Sequence, residues 1–300
     1  MTANGPGLIG LDIGATKTLG VLVDPDGHVQ AQELQATAPG AAGVIDTAAR
    51  VVADLGGGAA AGSVGVGIPG LVDHVGGEVQ HAVNLGLNGD RLSLRALLEE
   101  RCSLPVHVEN DVNAATLGAV ALSGIQDLVY LSIGTGLAAG IAIDGRVRRG
   151  ATGAAGEVGH VPVDPAGALC RCGQRGCLET VASGSALAAA WPSGDRPAAQ
   201  ALFAAAAAGD PAAIAVRDRF SAGVADAVRT LALSVDPQTV VLGGGVAHLG
   251  QVLVDHVAEA LRRQAASSPF LASLDLAARL RVVPEGQPVA AIGAALLGRP

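Results

Sequence analysis

Between Glu157 and Glu179 stand three of the chain's four cysteines, Cys170, Cys172 and Cys177, with His160 upstream and a carboxylate at each end of the window. Three thiolates and one imidazole make the ligand set of a closed tetrahedral zinc site. Four protein ligands leave no position for a metal-bound water, so the expected metal is structural. It would fold a loop in which Gly167, Gly173 and Gly176 supply flexibility and no core. A disulfide pair or unrelated thiols is the alternative reading, although no secretory segment or oxidising context is visible to favour a disulfide. Glu157, His160 and Glu179 ride on this loop. Cys102 stands apart after a helical pattern and reads as an ordinary buried thiol.

Three glycine turns and one acid carry the remaining chemistry. Asp12-Ile13-Gly14-Ala15-Thr16-Lys17-Thr18 joins two apolar runs, so its backbone N–H groups and the Thr16 and Thr18 hydroxyls can face a phosphate. Asp12 then sits where a hydrated Mg²⁺ would bridge oxygens. Gly134-Thr135-Gly136 offers the same arrangement, and Gly243-Gly244-Gly245 follows a buried strand and opens a helix, where an anion is favoured. A single glycine turn is more often a plain hairpin, and 43 glycines supply many such turns. The three together, two of them related by a repeat, carry more weight. Asp111 is placed to act as a general base that accepts a hydroxyl proton during γ-phosphoryl transfer, with Asn110 orienting the same substrate. A helix N-terminal acid favoured by the macrodipole is the plainer reading of Asp111.

The elements that must position these residues follow from an internal repeat. Leu8 to Asp24 aligns with Leu128 to Asp144, matching Leu8/Leu128, Leu11/Leu131, Ile13/Ile133, Gly14/Gly134, Gly20/Gly140 and Asp24/Asp144. Each copy is a strand, a tight turn and a second strand: Leu8 to Ile13 and Leu19 to Val23, then Leu128 to Ile133 and Leu137 to Ile143. Two such hairpins, each followed by alternating strands and helices, predict two similar α/β lobes around a cleft. In the first lobe the pattern predicts an edge strand near His28 to Leu34, a helix from about Ala41 to Leu55 and a buried strand Val64 to Ile68. A loop over Pro69 to Asp73 follows, then a helix near Ser93 to Arg101 capped by Ser93, a strand Val106 to Glu109 and a helix from Asn110-Asp111 to about Leu122. The second lobe holds the cysteine loop, helices over about Ala198 to Leu233, a strand Thr239 to Leu242, a helix from about Leu249 to Gln264 and a strand Leu280 to Val283. A last helix, Val289 to Leu297, packs back toward the first lobe. The expected domains are 1–122, rejoined by about 285–300, and 123–284, which contains the loop 157–179. The alanine-rich run Ala198 to Ala208 reads as helix, since alanine is the best helix former.

Composition excludes several classes. With 50% hydrophobic and 15% charged residues, the chain supports a packed core and is not disordered. A formal charge of −8 and 2% aromatic residues give neither the basic surface nor the stacking platform of a nucleic-acid binder. No apolar stretch approaches a membrane span, and Met1 to Pro6 lacks a signal pattern, so a cytoplasmic protein is expected.

The motifs Asp12-Ile13-Gly14-Ala15-Thr16-Lys17, Gly67-Ile68-Pro69-Gly70-Leu71-Val72-Asp73, Glu109-Asn110-Asp111, Ile133-Gly134-Thr135-Gly136, Glu157-Val158-Gly159-His160 and the cysteine run ending at Glu179 resemble, in order, those of the ROK family of bacterial sugar kinases and repressors. The resemblance implies an actin-like, hexokinase-type fold, with ribonuclease-H-like duplicated lobes, and ATP- and Mg²⁺-dependent phosphorylation of a hexose at its 6-hydroxyl. Asp111 would be the base, and Gly70, Asn84, Asn110, Glu157, His160 and Glu179 would contact the sugar. His160 could serve both zinc and sugar through its two ring nitrogens. Glucose entering glycolysis is the first expected substrate, with mannose, allose, fructose or an N-acetylhexosamine as alternatives. In the family an Asn-Leu-x-Trp pattern often occupies the position of Asn84-Leu85-Gly86-Leu87, which lacks the aromatic here. Ala15 replaces a glycine common in relatives. A homodimer or homotetramer is implied. Repressors of the family carry a helix-turn-helix ahead of the first phosphate motif, and the few residues before Leu8 leave no room for one, so the kinase reading is preferred over the regulator. An actin-like ATPase without a sugar substrate is a third reading, which the Glu157 to Glu179 window disfavours.

Overall fold

The computed structural model describes residues 6–25, 27–87 and 91–299. Residues 1–5 of the stretch read for a signal pattern lie outside the described residues. The chain forms two compact units: Met1–Gln126 with Ile141–Ala155 and Pro288–Pro300, and Asp127–Gly140 with Gly156–Gln287.

In the first unit the alternating apolar runs Gly7–Ile13 and Lys17–Val23 become strands β1 and β2, paired antiparallel from Leu8↔Val23 to Ile13↔Thr18. The edge strand β3, Val29–Ala36, lies slightly later in the chain than expected, and its mostly exposed pattern suits a sheet edge. Helix α1, Gly40–Asp54, buries Val44, Ala48, Val51 and Val52 in the core. A single turn, α2 (Gly57–Ala60), leads to β4, Ala61–Ile68, whose nearly continuous burial fits a central parallel strand. Where a loop was expected after Pro69, Leu71–Asp73 (β5) and Glu78–Gln80 (β6) form a short hairpin. Its turn is held by Asp73, whose carboxylate accepts from the Val75 N–H at 3.0 Å, a local bond that strand periodicity does not reveal.

Helix α3 spans Leu94–Cys102. Ser93 occupies its N-cap position, but its hydroxyl makes no capping bond, because its backbone leaves the extended region that would aim the side chain at the first turn. Cys102 ends this helix half-buried against the core rather than inside it. Strand β7, Val106–Asn110, passes directly into α4, Asp111–Ser123. The cap of α4 is Asn110, whose side-chain oxygen accepts from the N–H groups of Val112 at 2.9 Å and Asn113 at 3.2 Å.

Strands β8 (Leu128–Ile133) and β9 (Leu137–Ile143) form the second hairpin. The end of β9 pairs with β10, Arg146–Val147, which packs beside α4. That packing draws Ile141–Ala155 into the first unit, whereas the sequence assigns the segment to the second lobe. The second unit continues through α5 (Gly184–Ala190), α6 (Ala198–Ala207) and α7 (Pro211–Val235), the last capped by Asp210, whose carboxylate accepts from the Ala212 and Ala213 N–H groups. The alanine-rich run is therefore helix, as expected. Strand β11 (Thr239–Gly243), helix α8 (Gln251–Ala265), the short α9 (Pro269–Ser273) and strand β12 (Leu280–Val282) complete the unit.

Helix α10, Val289–Leu296, belongs to the first unit and packs on α4, β1 and β4. The approach is so close that a Cβ at Gly10 or Gly65 would run into the α10 backbone, and one at Gly293 into the Ala114 carbonyl of α4.

The two five-stranded sheets have the orders β3-β2-β1-β4-β7 and β10-β9-β8-β11-β12. In each, a hairpin is followed outward by two strands parallel to its first strand. The repeat in the sequence is thus a duplicated sheet.

Candidate functional site

Parallel strands place their carboxyl ends on one side of a sheet, where ligands of open α/β folds bind. In the first unit Asp12, Gly67 and Glu109 align across β1, β4 and β7, and Ile68 pairs with Asn110. Asp111 follows as the first residue of α4. Gly67 contributes no side chain there: a Cβ on it would lie 3.5 Å from the Asp111 Cα. Asp12 and Asp111 thereby flank a bare strand end, and their charges sense one another. The Asp12 carboxyl is raised to about 7, first by burial and second by the Asp111 charge, with Lys17 opposing. The residue keeps part of its surface accessible, although protein crowds its carboxyl.

The Asp12–Thr18 turn closes through a 2.9 Å bond from the Gly14 N–H to the Lys17 carbonyl. Thr16 and Lys17 are exposed on it. Thr18 is not: its hydroxyl is fully buried and shares a 2.9 Å hydrogen bond with Thr37. The alternation of β2 turns that side chain into the unit, so its hydroxyl does not join the turn. Asn110 donates from its amide to the Gly70 carbonyl at 3.3 Å while capping α4, which fixes its side chain between the hairpin and the helix. Gly70 adopts φ +110, a backbone that a Cβ would strain. Asn84 is exposed in a short 3-10 turn, Val83–Leu85.

In the second unit two glycine turns stand side by side. Gly134-Thr135-Gly136 leaves the end of β8 and Gly243-Gly244-Gly245 leaves β11, with Gly243 in register with Ser132. Gly244 has φ +78, and a Cβ on it would lie 2.7 Å from the Ile133 carbonyl carbon, so only glycine fits. A 3-10 turn over Gly245–Leu249 follows, and α8 begins later than the sequence suggests. The N-terminus of α5 closes on the first turn, with the Gly184 N–H bonded to the Gly134 carbonyl at 2.7 Å and the Ser185 hydroxyl to the Thr135 carbonyl at 2.7 Å. Exposed Thr135 and open space at Gly134 and Gly245 leave backbone accessible to an anion.

The cysteine loop brings its four expected ligands together. One donor atom from each of His160, Cys170, Cys172 and Cys177 lies within 4.8 Å of the others. The Cys172 and Cys177 sulfurs are 3.7 Å apart, as are the Cys170 sulfur and His160 Nδ1. A disulfide needs about 2.05 Å, whereas zinc bonds of about 2.3 Å to sulfur set tetrahedral edges of about 3.8 Å. The donor set fits a structural metal, and all four cysteines are free thiols. Burial pushes the Cys170 thiol up to about 12, while the Gln174 backbone and side-chain amides draw Cys172 down to about 6. Gathering these groups as thiolates therefore calls for a cation.

Around the cluster, Glu157 Oε2 lies 3.9 Å from His160 Nε2, and the Cys170 thiol donates to Glu179 Oε1 at 3.4 Å. Glu179 Oε2 also accepts from the Leu137 N–H at 3.4 Å and lies against Gly136, so this carboxylate links the cysteine loop to the β8–β9 turn. Glu157 is exposed, and His160 and Glu179 are half-buried.

Two residues escaped the sequence reading. Buried Glu109, 2% exposed, is paired with the half-buried Arg149, whose Nε donates to Glu109 Oε2 at 2.6 Å. Glu109 precedes Asn110 at the end of an apolar run, and Arg149 follows two exposed arginines, Arg146 and Arg148, that mark a surface turn. No helix among the described residues is long and apolar enough to cross a membrane.

The sequence matches the ROK family over residues 8–299. It is 36% identical to a glucokinase of Halalkalibacterium halodurans over 64% of this chain and 63% of that protein. It is 33% identical to a glucokinase of Thermotoga maritima over 82% of this chain and 84% of that protein. Among solved structures it resembles a ROK family glucokinase from Streptomyces griseus in complex with glucose and AMPPNP. The TM-score is 0.81 and the identity 32%, over 97% of this chain and 98% of that one. The duplicated α/β architecture is thus the actin-like, hexokinase-type fold.

Proposed function

Because the chain belongs to the ROK family, we propose that it transfers the γ-phosphoryl group of ATP to the 6-hydroxyl of a hexose, glucose first. The observation that carries this reading is the pairing of Asp12 and Asp111 at the carboxyl ends of β1 and β7, beside an Asn110 whose side chain is already fixed. Asp111 raises the Asp12 carboxyl and itself stands as the first residue of α4. Asp111 is then the base that takes the proton of the hydroxyl as it attacks phosphorus.

The hexose would be held by Gly70, Asn84, Asn110, Asp111, Glu157, His160 and Glu179. Carboxylates and amides are apt for pairs of adjacent hydroxyls. Backbone N–H groups of Gly14, Gly134, Gly136 and Gly243–Gly245, with Thr16, Lys17 and Thr135, would hold the phosphates. Mg²⁺ would be anchored by Asp12 and neutralise charge on the donor. Zinc held by His160, Cys170, Cys172 and Cys177 would supply no step; it orders the segment that presents Glu157 and Glu179. The same reading makes the protein a soluble cytoplasmic enzyme of carbohydrate metabolism, acting as a homodimer or homotetramer.

The test is ADP release from Mg·ATP across glucose, mannose, fructose, allose, N-acetylglucosamine and N-acetylmannosamine. Strong stimulation by one sugar is expected. Absence of stimulation by all six, with folded, zinc-loaded protein, would refute hexose phosphorylation from ATP.

A further inference from the structure

The Glu109 carboxylate is enclosed, and both its oxygens are committed. Oε1 accepts from the Asn110 N–H at 2.9 Å and from the Asn113 side-chain amide at 3.0 Å. Oε2 accepts from Arg149 Nε at 2.6 Å and is also ion-paired with Nη2. A buried charge with this many donors is held in one orientation. What it holds matters, since Asn110 caps α4 and touches Gly70, Asp111 is next in the chain, and Asn113 lies one turn into the helix.

Arg149 anchors a second structure. Its carbonyl accepts from the Ala155 N–H at 3.2 Å, which closes the segment between them into a loop whose base is Arg149 itself. Gly150 has φ +75, and a Cβ on it would lie 3.3 Å from the Ala155 Cβ inside that base. Ala155 is the last residue of the first unit before Gly156 and Glu157. The guanidinium therefore fixes where the segment bearing Glu157 departs.

We infer that the Glu109–Arg149 pair is a positioning device that sets the Asn110–Asn113 junction and the Arg149–Ala155 loop of the first unit from one buried carboxylate, so that the base and the end of that loop are placed together. Both would act through the residues that they hold. The inference rests on the kinase reading for its kinetic consequence, but not for the coupling itself. Removing Arg149 leaves the buried Glu109 charge without its counter-charge, whereas removing both partners is often tolerated by the fold. The informative set is therefore Glu109→Gln, Arg149→Met and the double variant.

Amide hydrogen exchange on the ligand-free protein should accelerate about tenfold or more in both 110–113 and 150–155 in every variant. The double variant should change no more than the worse single, because the pair acts as a unit. In the kinase assay the double variant, folded to the wild-type circular dichroism, should lose about tenfold or more in kcat/KM for the hexose, with the KM for ATP within about twofold of wild type. Exchange that rises in one segment without the other, or hexose kinetics of the double variant equal to wild type, would overturn the inference. If the wild-type protein phosphorylates no hexose, the proposed function falls, and the exchange of the two segments alone decides the coupling.

Discussion

Asp12→Asn is expected to stabilise the protein at alkaline pH while abolishing its activity. The Asp12 carboxyl is raised from 3.8 to about 7 by burial first and by Asp111 second. Between those values the folded protein holds a proton that the unfolded chain has released, so stability falls as pH rises and levels off above about 7. A shift of roughly three units at ~1.4 kcal/mol each sets an upper bound of ~4 kcal/mol. Asp12 keeps some accessible surface and has Lys17 as a counter-charge. The realistic cost is therefore about half that, ~2 kcal/mol at pH 8 and below ~1 kcal/mol at pH 5. Asparagine keeps the shape and removes the titration. Urea unfolding of metal- and nucleotide-free protein at pH 5 and pH 8 should show the variant more stable by ~2 kcal/mol at pH 8, with the gap shrinking at pH 5. Asp111→Asn, by removing the like charge, should move the wild-type loss of stability to lower pH. A gap that is absent at pH 8, or that does not change with pH, would refute the reasoning.

Three further outcomes follow from the same geometry. Asp111→Asn should lower kcat by about a thousandfold or more while leaving the calorimetric affinity for the hexose within a few-fold, because the proton acceptor is lost and the shape kept; turnover near wild type would remove Asp111 as base. Stripping the metal bound by His160, Cys170, Cys172 and Cys177 should open the 157–179 segment to protease and raise the hexose KM on the order of tenfold; metal analysis that finds no zinc in active protein would dispose of the clamp. Gly293→Ala should cost about 3 kcal/mol or more, since the new methyl meets the Ala114 carbonyl between α10 and α4; a denaturation midpoint equal to wild type would show that the helices can part.

The duplicated sheet was legible because a strand, a glycine turn and a second strand leave a pattern that survives divergence of side chains. Leu8–Asp24 and Leu128–Asp144 align residue for residue and fold into equivalent hairpins. The elements that escaped are those set by local bonds. The β5–β6 hairpin depends on the Asp73 turn, and the absent Ser93 cap on a single backbone angle. Neither alters hydrophobic periodicity. The allocation of Ile141–Ala155 to the first unit escaped for a different reason: it depends on β10 reaching α4, a contact between residues far apart in the chain.

For the site, legibility followed the chemistry each residue announces. Cysteines at metal-ligand spacing declare themselves, and the four donors do converge. A threonine beside a phosphate turn announces a hydroxyl but not its direction. On β2 both faces are covered, Val21 and Val23 on one and Thr18 and Gly20 on the other, so no simple alternation tells that Thr18 turns inward to Thr37. Glu109 shows the opposite failure. A glutamate ending a buried strand looks like an outlier of the apolar pattern, and an arginine after a basic turn looks like surface; only their 2.6 Å contact makes one explain the other. A buried carboxylate in an apolar strand is costly unless donors surround it. Its presence next to Asn110 was thus a signal in the sequence that donors had to be found, and the Asn113 amide, in the first turn of the helix that follows, is one of them.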